Sequence, residues 1–268
     1  MVLQTINYKE QLKQDFGSWG KVYTINETMA EITKSLAENG LFRQNSRIVF
    51  SVCPDDVNRL LEIETMEGAL TQAYNGEFHL GGLGAYPMGG VSGLTAASHH
   101  PPDSVANGSR KDGNLILFIS PHIGLLVGDD FIYGKIIRPG QEKVTSSCGA
   151  MMGFLGALKG AGSPESFSIA PDPNYIDPTR VVLHSDLINN YSDQLKQILA
   201  VVDENQQVID MFKLNYDVVM NKTRDIIKEF LIREKQHFKG KIAIVGGITV
   251  NLPSKDGFIL KEIFYPTE

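Results

Sequence analysis

Two short, nearly unbroken apolar runs constrain the fold of this chain more than anything else in it. The first, Arg47-Ile48-Val49-Phe50-Ser51-Val52, closes on Cys53. The second, Leu115-Ile116-Leu117-Phe118-Ile119-Ser120-Pro121, runs into His122. A strand wetted on one face alternates apolar and polar residues, whereas a strand covered on both faces reads as a continuous apolar run. The pattern therefore predicts strands over 47–53 and 114–120 in the middle of a sheet with helices on both sides. Helical spacing surrounds them. Thr24 and Glu27 form a capping box for Ile25, Met29, Ile32 and Leu36, and Gly40 stops that helix. A helix is expected from Asp55 to about Tyr74 with Leu60, Leu61, Ile63 and Leu70 inward, another from about Cys148 to Leu158, and a long helical stretch over roughly 185–235, interrupted near Asp203-Glu204-Asn205.

The end of the chain reads as a hairpin, about 241–265, with Ser254-Lys255-Asp256-Gly257 at the turn. Strands alternating with helices give an α/β fold: a central, mostly parallel sheet with an antiparallel edge, flanked by helices. With no internal repeat and no strong boundary, residues 1–268 are expected to form a single domain whose first 45 or so residues are a helical segment. The Gly/Pro-rich stretch 76–113 carries enough apolar side chains (Leu83, Tyr86, Met88, Val91, Leu94) to be ordered, and a long segment of that kind in a compact domain is usually functional.

Composition removes several function classes. A net charge of −6 leaves no electrostatic footprint for nucleic acid. No run reaches the ~18 apolar residues of a membrane span, and the amino terminus lacks a basic stretch followed by an apolar one. A soluble, cytoplasmic protein is expected. The chain has only two cysteines, so no disulfide framework exists, although one bridge and two free thiols both fit that count.

Those cysteines carry the chemistry. In open α/β sheets ligands bind beyond the carboxyl ends of the strands. Cys53 and His122 both follow predicted strands, and Cys148 opens a predicted helix. A buried cysteine is usually no more than a small hydrophobe, but two thiolates and one imidazole meeting at strand ends have the stoichiometry of a zinc site with an open fourth position. Asp55 and Arg59 stand four residues apart and, on a helix starting at Pro54 or Asp55, would share a face. That pairing would fix the carboxylate to orient an attacking water; Asp56 competes for the role. His99 and His100 are candidates for carrying a proton away, since histidine titrates near neutrality. His79, His184 and His237 have no such context. Gly84-Ala-Tyr-Pro-Met-Gly89 lacks the ending of a phosphate loop, and no nucleophile elbow is present.

Taken in order, Ser51-Val52-Cys53-Pro54-Asp55-Asp56-Val57-Asn58-Arg59, Gly84-Ala85-Tyr86-Pro87-Met88-Gly89-Gly90, Ser98-His99-His100-Pro101-Pro102-Asp103, Ser120-Pro121-His122-Ile123-Gly124 and Ser147-Cys148-Gly149-Ala150 resemble the limiting-CO2-inducible protein B family, also discussed as theta-class carbonic anhydrases. The resemblance spans about residues 15–250. It implies a β-carbonic-anhydrase-like fold, a homodimer, and zinc held by Cys53, His122 and Cys148. It further implies zinc-dependent reversible hydration of CO2 to bicarbonate. The alternative is a catalytically silent zinc-bearing scaffold or bicarbonate-binding protein in inorganic-carbon accumulation. The spacing departs from the Cys-x-Asp-x-Arg of ordinary β-carbonic anhydrases, with Arg59 standing where an i to i+4 helical pairing would have to replace i to i+2.

Overall fold

The computed structural model describes residues 8–60, 64–100, 113–128 and 130–266. Strand β2 (Ser46–Val52) and strand β4 (Asn114–Ser120) lie side by side and parallel, in register from Ser46 with Asn114 to Val52 with Ser120. Every residue of β4 is buried, as is every residue of β2 except Arg47, so the continuous apolar runs do mark two-sided burial. On the outer flank of β2, β3 (Asn75–His79) pairs parallel. On the far side of β4 comes β9 (Ile242–Asn251), also parallel, followed by β10 (Gly257–Phe264) and β1 (Lys21–Thr24), both antiparallel. The order is β1-β10-β9-β4-β2-β3: a parallel centre with an antiparallel edge.

One local feature of the sheet builds the site. At Pro121 the chain leaves β4 and re-enters as β5 (His122–Val127), which continues along the same neighbour, with His122 opposite Thr249 and Gly124 opposite Asn251. The step leaves His122 beyond the carboxyl end of β4, beside the end of β9. Strand β5 then turns back through β6 (Phe131–Tyr133), and β7 (Lys135–Ile137) pairs with β8 (Val144–Ser146) as a small separate hairpin. Gly124 allows this hairpin to dock: a Cβ there would stand 2.8 Å from both the Lys135 carbonyl oxygen and the Ser147 Cβ.

Two apolar layers cover the sheet. On one face, α2 (Ile25–Glu38) and α3 (Met66–Ala73) pack Ile32, Leu36, Met66 and Leu70 against Ile48, Phe50, Ile116, Phe118 and Phe258. On the other, α1 (Tyr8–Phe16), α4 (Gly90–Ser98), α5 (Gly149–Ala161), α6 (Pro178–Asn190), α7 (Ser192–Ala200) and α8 (Glu204–Arg233) enclose the larger cluster. The capping box stands as expected, with Thr24 accepting from the Glu27 N–H and the Glu27 carboxylate accepting from the Thr24 N–H.

Two expectations need correction. No helix runs from Asp55: the Asp55 side chain caps a single 3₁₀ turn (Asp56–Asn58), and the helix begins only at Met66, where Thr65 caps it. Leu61 and Ile63 lie outside the described residues. The stretch 185–235 is three helices, the last starting behind Asp203, which caps it through the Gln206 N–H. Leu187, Leu195, Ile198, Val208, Ile209, Met211, Phe212 and Val219 of this stretch are all buried within this chain's own core. Among the described residues, no helix is long and apolar enough to cross a membrane.

Candidate metal centre

Cys53 follows the last residue of β2, His122 opens β5, and Cys148 is the N-cap of α5. Close approach of the chain shapes the first of these positions: a Cβ on Gly81 would collide with the Val52 carbonyl, so only glycine lets that segment pass beside the strand end. The three side chains meet. Their ligating atoms all lie within 4.8 Å of one another, and the two sulfurs are 3.5 Å apart and unbridged. Two thiolates on a tetrahedral zinc, at ~2.3 Å each, would be roughly 3.8 Å apart. His122 is fully buried, and its Nε2 has no hydrogen-bond partner. Leaving such an atom unsatisfied costs about 1–3 kcal/mol, and a metal would remove that cost. Donor chemistry, spacing and the orphaned nitrogen all fit zinc.

The electrostatics follow from crowding. Its contact with the Cys148 sulfur, together with burial, pushes the Cys53 thiol well above its ordinary pKa. The neighbouring Cys53 thiol and the backbone N–H groups of Met151 and Ala150 at the head of α5 lower the Cys148 pKa despite burial. Burial opposes charge on His122, but Cys53, Asp55 and Asn251 outweigh it and raise its pKa.

Asp55 stands beside the cluster, with Oδ2 3.9 Å from His122 Nε2. Its partner is Arg138, not Arg59. The Arg138 Nη2 donates to both Asp55 oxygens, at 2.9 and 3.1 Å, while its Nε reaches Asp56 at 3.1 Å. Arg138 follows β7 and is tied down by Thr145 and by the Ser146 carbonyl of β8. Burial raises the pKa of Asp55, but His122 and Arg138 overcome that effect and hold the group below the usual carboxylate range. With one 3₁₀ turn in place of a helix, Arg59 points elsewhere, giving a 2.6 Å hydrogen bond to Glu67 and standing 2.9 Å from His79 Nδ1.

His99 and His100 are not brought to the cluster. His99 ends α4 and faces Glu234 at 3.5 Å, and the His100 carbonyl accepts from Arg47. Arg47 is at the amino end of β2, six residues from Cys53, which places it on the order of 20 Å from the cysteine. Pro101-Pro102-Asp103 lies outside the described residues.

Sequence reasoning missed Arg138 and also the groups behind His122. Asn251, last residue of the fully buried β9, has its Oδ1 2.7 Å from His122 Nδ1, and its amide nitrogen gives 3.0 Å to Asp256 Oδ1. Ser147 Oγ donates to the same Asn251 oxygen at 3.3 Å, and Asn58 Nδ2 holds the Cys53 carbonyl at 3.0 Å. Asp256 is 1 % exposed; burial pushes its pKa up to about 7, against the opposing pull of the Met66 N–H and the Asn251 amide. A polar amide at the end of a mostly apolar strand was the signal for Asn251.

A family model described as limiting CO2-inducible proteins B/C β carbonic anhydrases matches residues 22–267. The crystal structure of PtLCIB4, a homolog of the limiting CO2-inducible protein LCIB, is similar with a TM-score of 0.72 at 23% identity, over 95% of this chain and 93% of that one. The structure of LCIB gives a TM-score of 0.66 at 16% identity, over 96% and 97%. At these identities the structural likeness speaks for the fold. No curated protein matches the chain.

Proposed function

The chain belongs to the limiting CO2-inducible proteins B/C family of β carbonic anhydrases, and on that premise we propose that it catalyses the reversible hydration of CO2 to bicarbonate with one zinc per chain. The observation that carries this reading is the buried Cys53–His122–Cys148 cluster with a carboxylate, Asp55, held against it by Arg138. When bound, zinc supplies the Lewis acidity that lets a water ionise near neutral pH. Cys53, His122 and Cys148 would hold it and leave one position open. Asp55, deprotonated at neutral pH, accepts a hydrogen bond from the attacking water and turns its lone pair toward the substrate carbon. Arg138 keeps both carboxylate oxygens engaged and so holds Asp55 beside the three residues that would bind zinc. Cys53 and Cys148 are part of the buried apolar core, a setting suited to an uncharged linear substrate.

A positioned acid or base is worth about 10²–10⁴ in rate. Stopped-flow CO2 hydration with Asp55→Ala is therefore expected to show a loss in that range while zinc content stays at one per chain. Zinc binding without turnover in the unaltered protein would instead establish the silent-scaffold alternative. We further propose that the protein works as a homodimer. Light scattering at micromolar concentration should give about twice the 29.5 kDa chain mass; a mass equal to one chain in active, zinc-loaded protein would refute it.

A further inference from the structure

The groups behind His122 form a chain with a fixed direction. Met66 N–H, the first backbone donor of α3, points at Asp256 Oδ2 at 3.0 Å. The other carboxylate oxygen, Oδ1, faces the Asn251 side-chain nitrogen at 3.0 Å. As a carboxylate Asp256 only accepts, and in that form it obliges Asn251 to present its NH2 group to it. The opposite end of that amide, Oδ1, is thereby turned to His122 Nδ1 at 2.7 Å, a distance that an oxygen acceptor and an unprotonated ring nitrogen would not hold, so Nδ1 carries a proton. In the neutral ring the lone pair is then left on Nε2, the buried atom with no partner, within the cluster of the two thiols. Asn251 is fully buried and Asp256 nearly so.

We propose that Asp256 is a positioning residue for the metal site: acting through the Asn251 amide, it fixes the His122 tautomer that leaves Nε2 free to bind a metal. The proposal rests on the reading of His122 as a ligand but concerns a property of the metal-free protein. The two can fail separately.

The geometry makes one substitution decisive. Asp256→Asn is nearly isosteric, yet its single carbonyl oxygen cannot accept from both Met66 N–H and Asn251. A backbone N–H cannot turn around, whereas the Asn251 amide can. The introduced carbonyl therefore keeps Met66, and its NH2 forces Asn251 to flip. The Asn251 nitrogen then faces His122 Nδ1, which must accept, and the ring proton moves to Nε2, where it blocks the metal. Asp256→Ala removes the acceptor without adding a donor. Asn251 then keeps its orientation through Ser147 Oγ, which donates to its oxygen, and Asn58 Oδ1, which accepts from its nitrogen at 3.4 Å.

The test is the ¹⁵N spectrum of the His122 ring in metal-free protein, assigned among the six histidines with a His122 variant, together with zinc affinity from competition with a chromophoric chelator. The unaltered protein should carry the His122 proton on Nδ1. In Asp256→Asn the proton should move to Nε2, and zinc affinity should fall by about ten- to a hundredfold, the usual scale for removing an outer partner of a ligating histidine. Asp256→Ala should lose less. A proton on Nε2 in the unaltered protein overturns the proposal by itself, even if the variants do not fold. So does an unchanged tautomer in Asp256→Asn, or a larger zinc loss in the alanine variant than in the asparagine one, which would mark a merely structural role.

Discussion

The two ends of the same parallel strands are built for different purposes. At the amino end the polar groups tie strand starts together: Asn114 Oδ1 accepts from the Lys241 N–H, and Asn45 accepts from the Asn114 N–H through its carbonyl. Arg47 donates to the His100 carbonyl, and His99 faces Glu234 at 3.5 Å. At the carboxyl end, Cys53, Ser120, His122, Thr249 and Asn251 are all buried, and every one of their polar links is spent on holding a neighbour except one, the free His122 Nε2. Buried polar groups are expensive unless paired. A sheet end that concentrates them and then leaves a nitrogen aimed at two thiols has been shaped around a ligand.

The comparison can be broken most sharply at the ligands. Cys53→Ser, His122→Ala and Cys148→Ser should each lose stoichiometric zinc, measured by atomic absorption, and lower CO2 hydration to background. Retained zinc in any two of them would move the site elsewhere. Next in size is the contrast between two arginines. Arg138→Ala should keep zinc and lose about a hundredfold or more in rate, because Asp55 loses its anchor. Arg59→Ala should leave the rate unchanged but lower thermal stability by about 1–3 kcal/mol, since it strips the buried Glu67 of its hydrogen bond. A rate loss confined to Arg59→Ala would restore the pairing expected from sequence. At the amino end, His99→Ala and His100→Ala should change neither zinc content nor hydration rate; a slower proton-transfer step in either would show that this end takes part in catalysis. The smallest expected effect is Thr24→Ala, which removes the helix cap and should cost about 1 kcal/mol in urea unfolding with activity untouched.

Much of this architecture was legible in the sequence because it is written in local patterns. Continuous apolar runs announced the central strands, the Thr24–Glu27 box announced α2, and Cys53, His122 and Cys148 drew attention because each stands at the end of a readable element. What could not be read depends on contacts between distant segments. Arg138 reaches Asp55 from a hairpin more than eighty residues away, and nothing in its own surroundings, Ile137-Arg138-Pro139-Gly140, announces that partner. The Asp55–Arg59 expectation rested on helical spacing and failed because Asp55 spends its side chain on capping one turn. Asp256 looked like an ordinary turn residue, and only the packing of α3 against that turn buries it.

The central claim is tested most directly by CO2 hydration on one preparation taken through three states: zinc-loaded, stripped by chelator at neutral pH, and reloaded. The account predicts activity in the first, loss in the second, and recovery that rises linearly with added zinc and levels off at one equivalent per chain. Hydration that survives removal of the metal, or a zinc-loaded protein with no hydration above buffer, would contradict it.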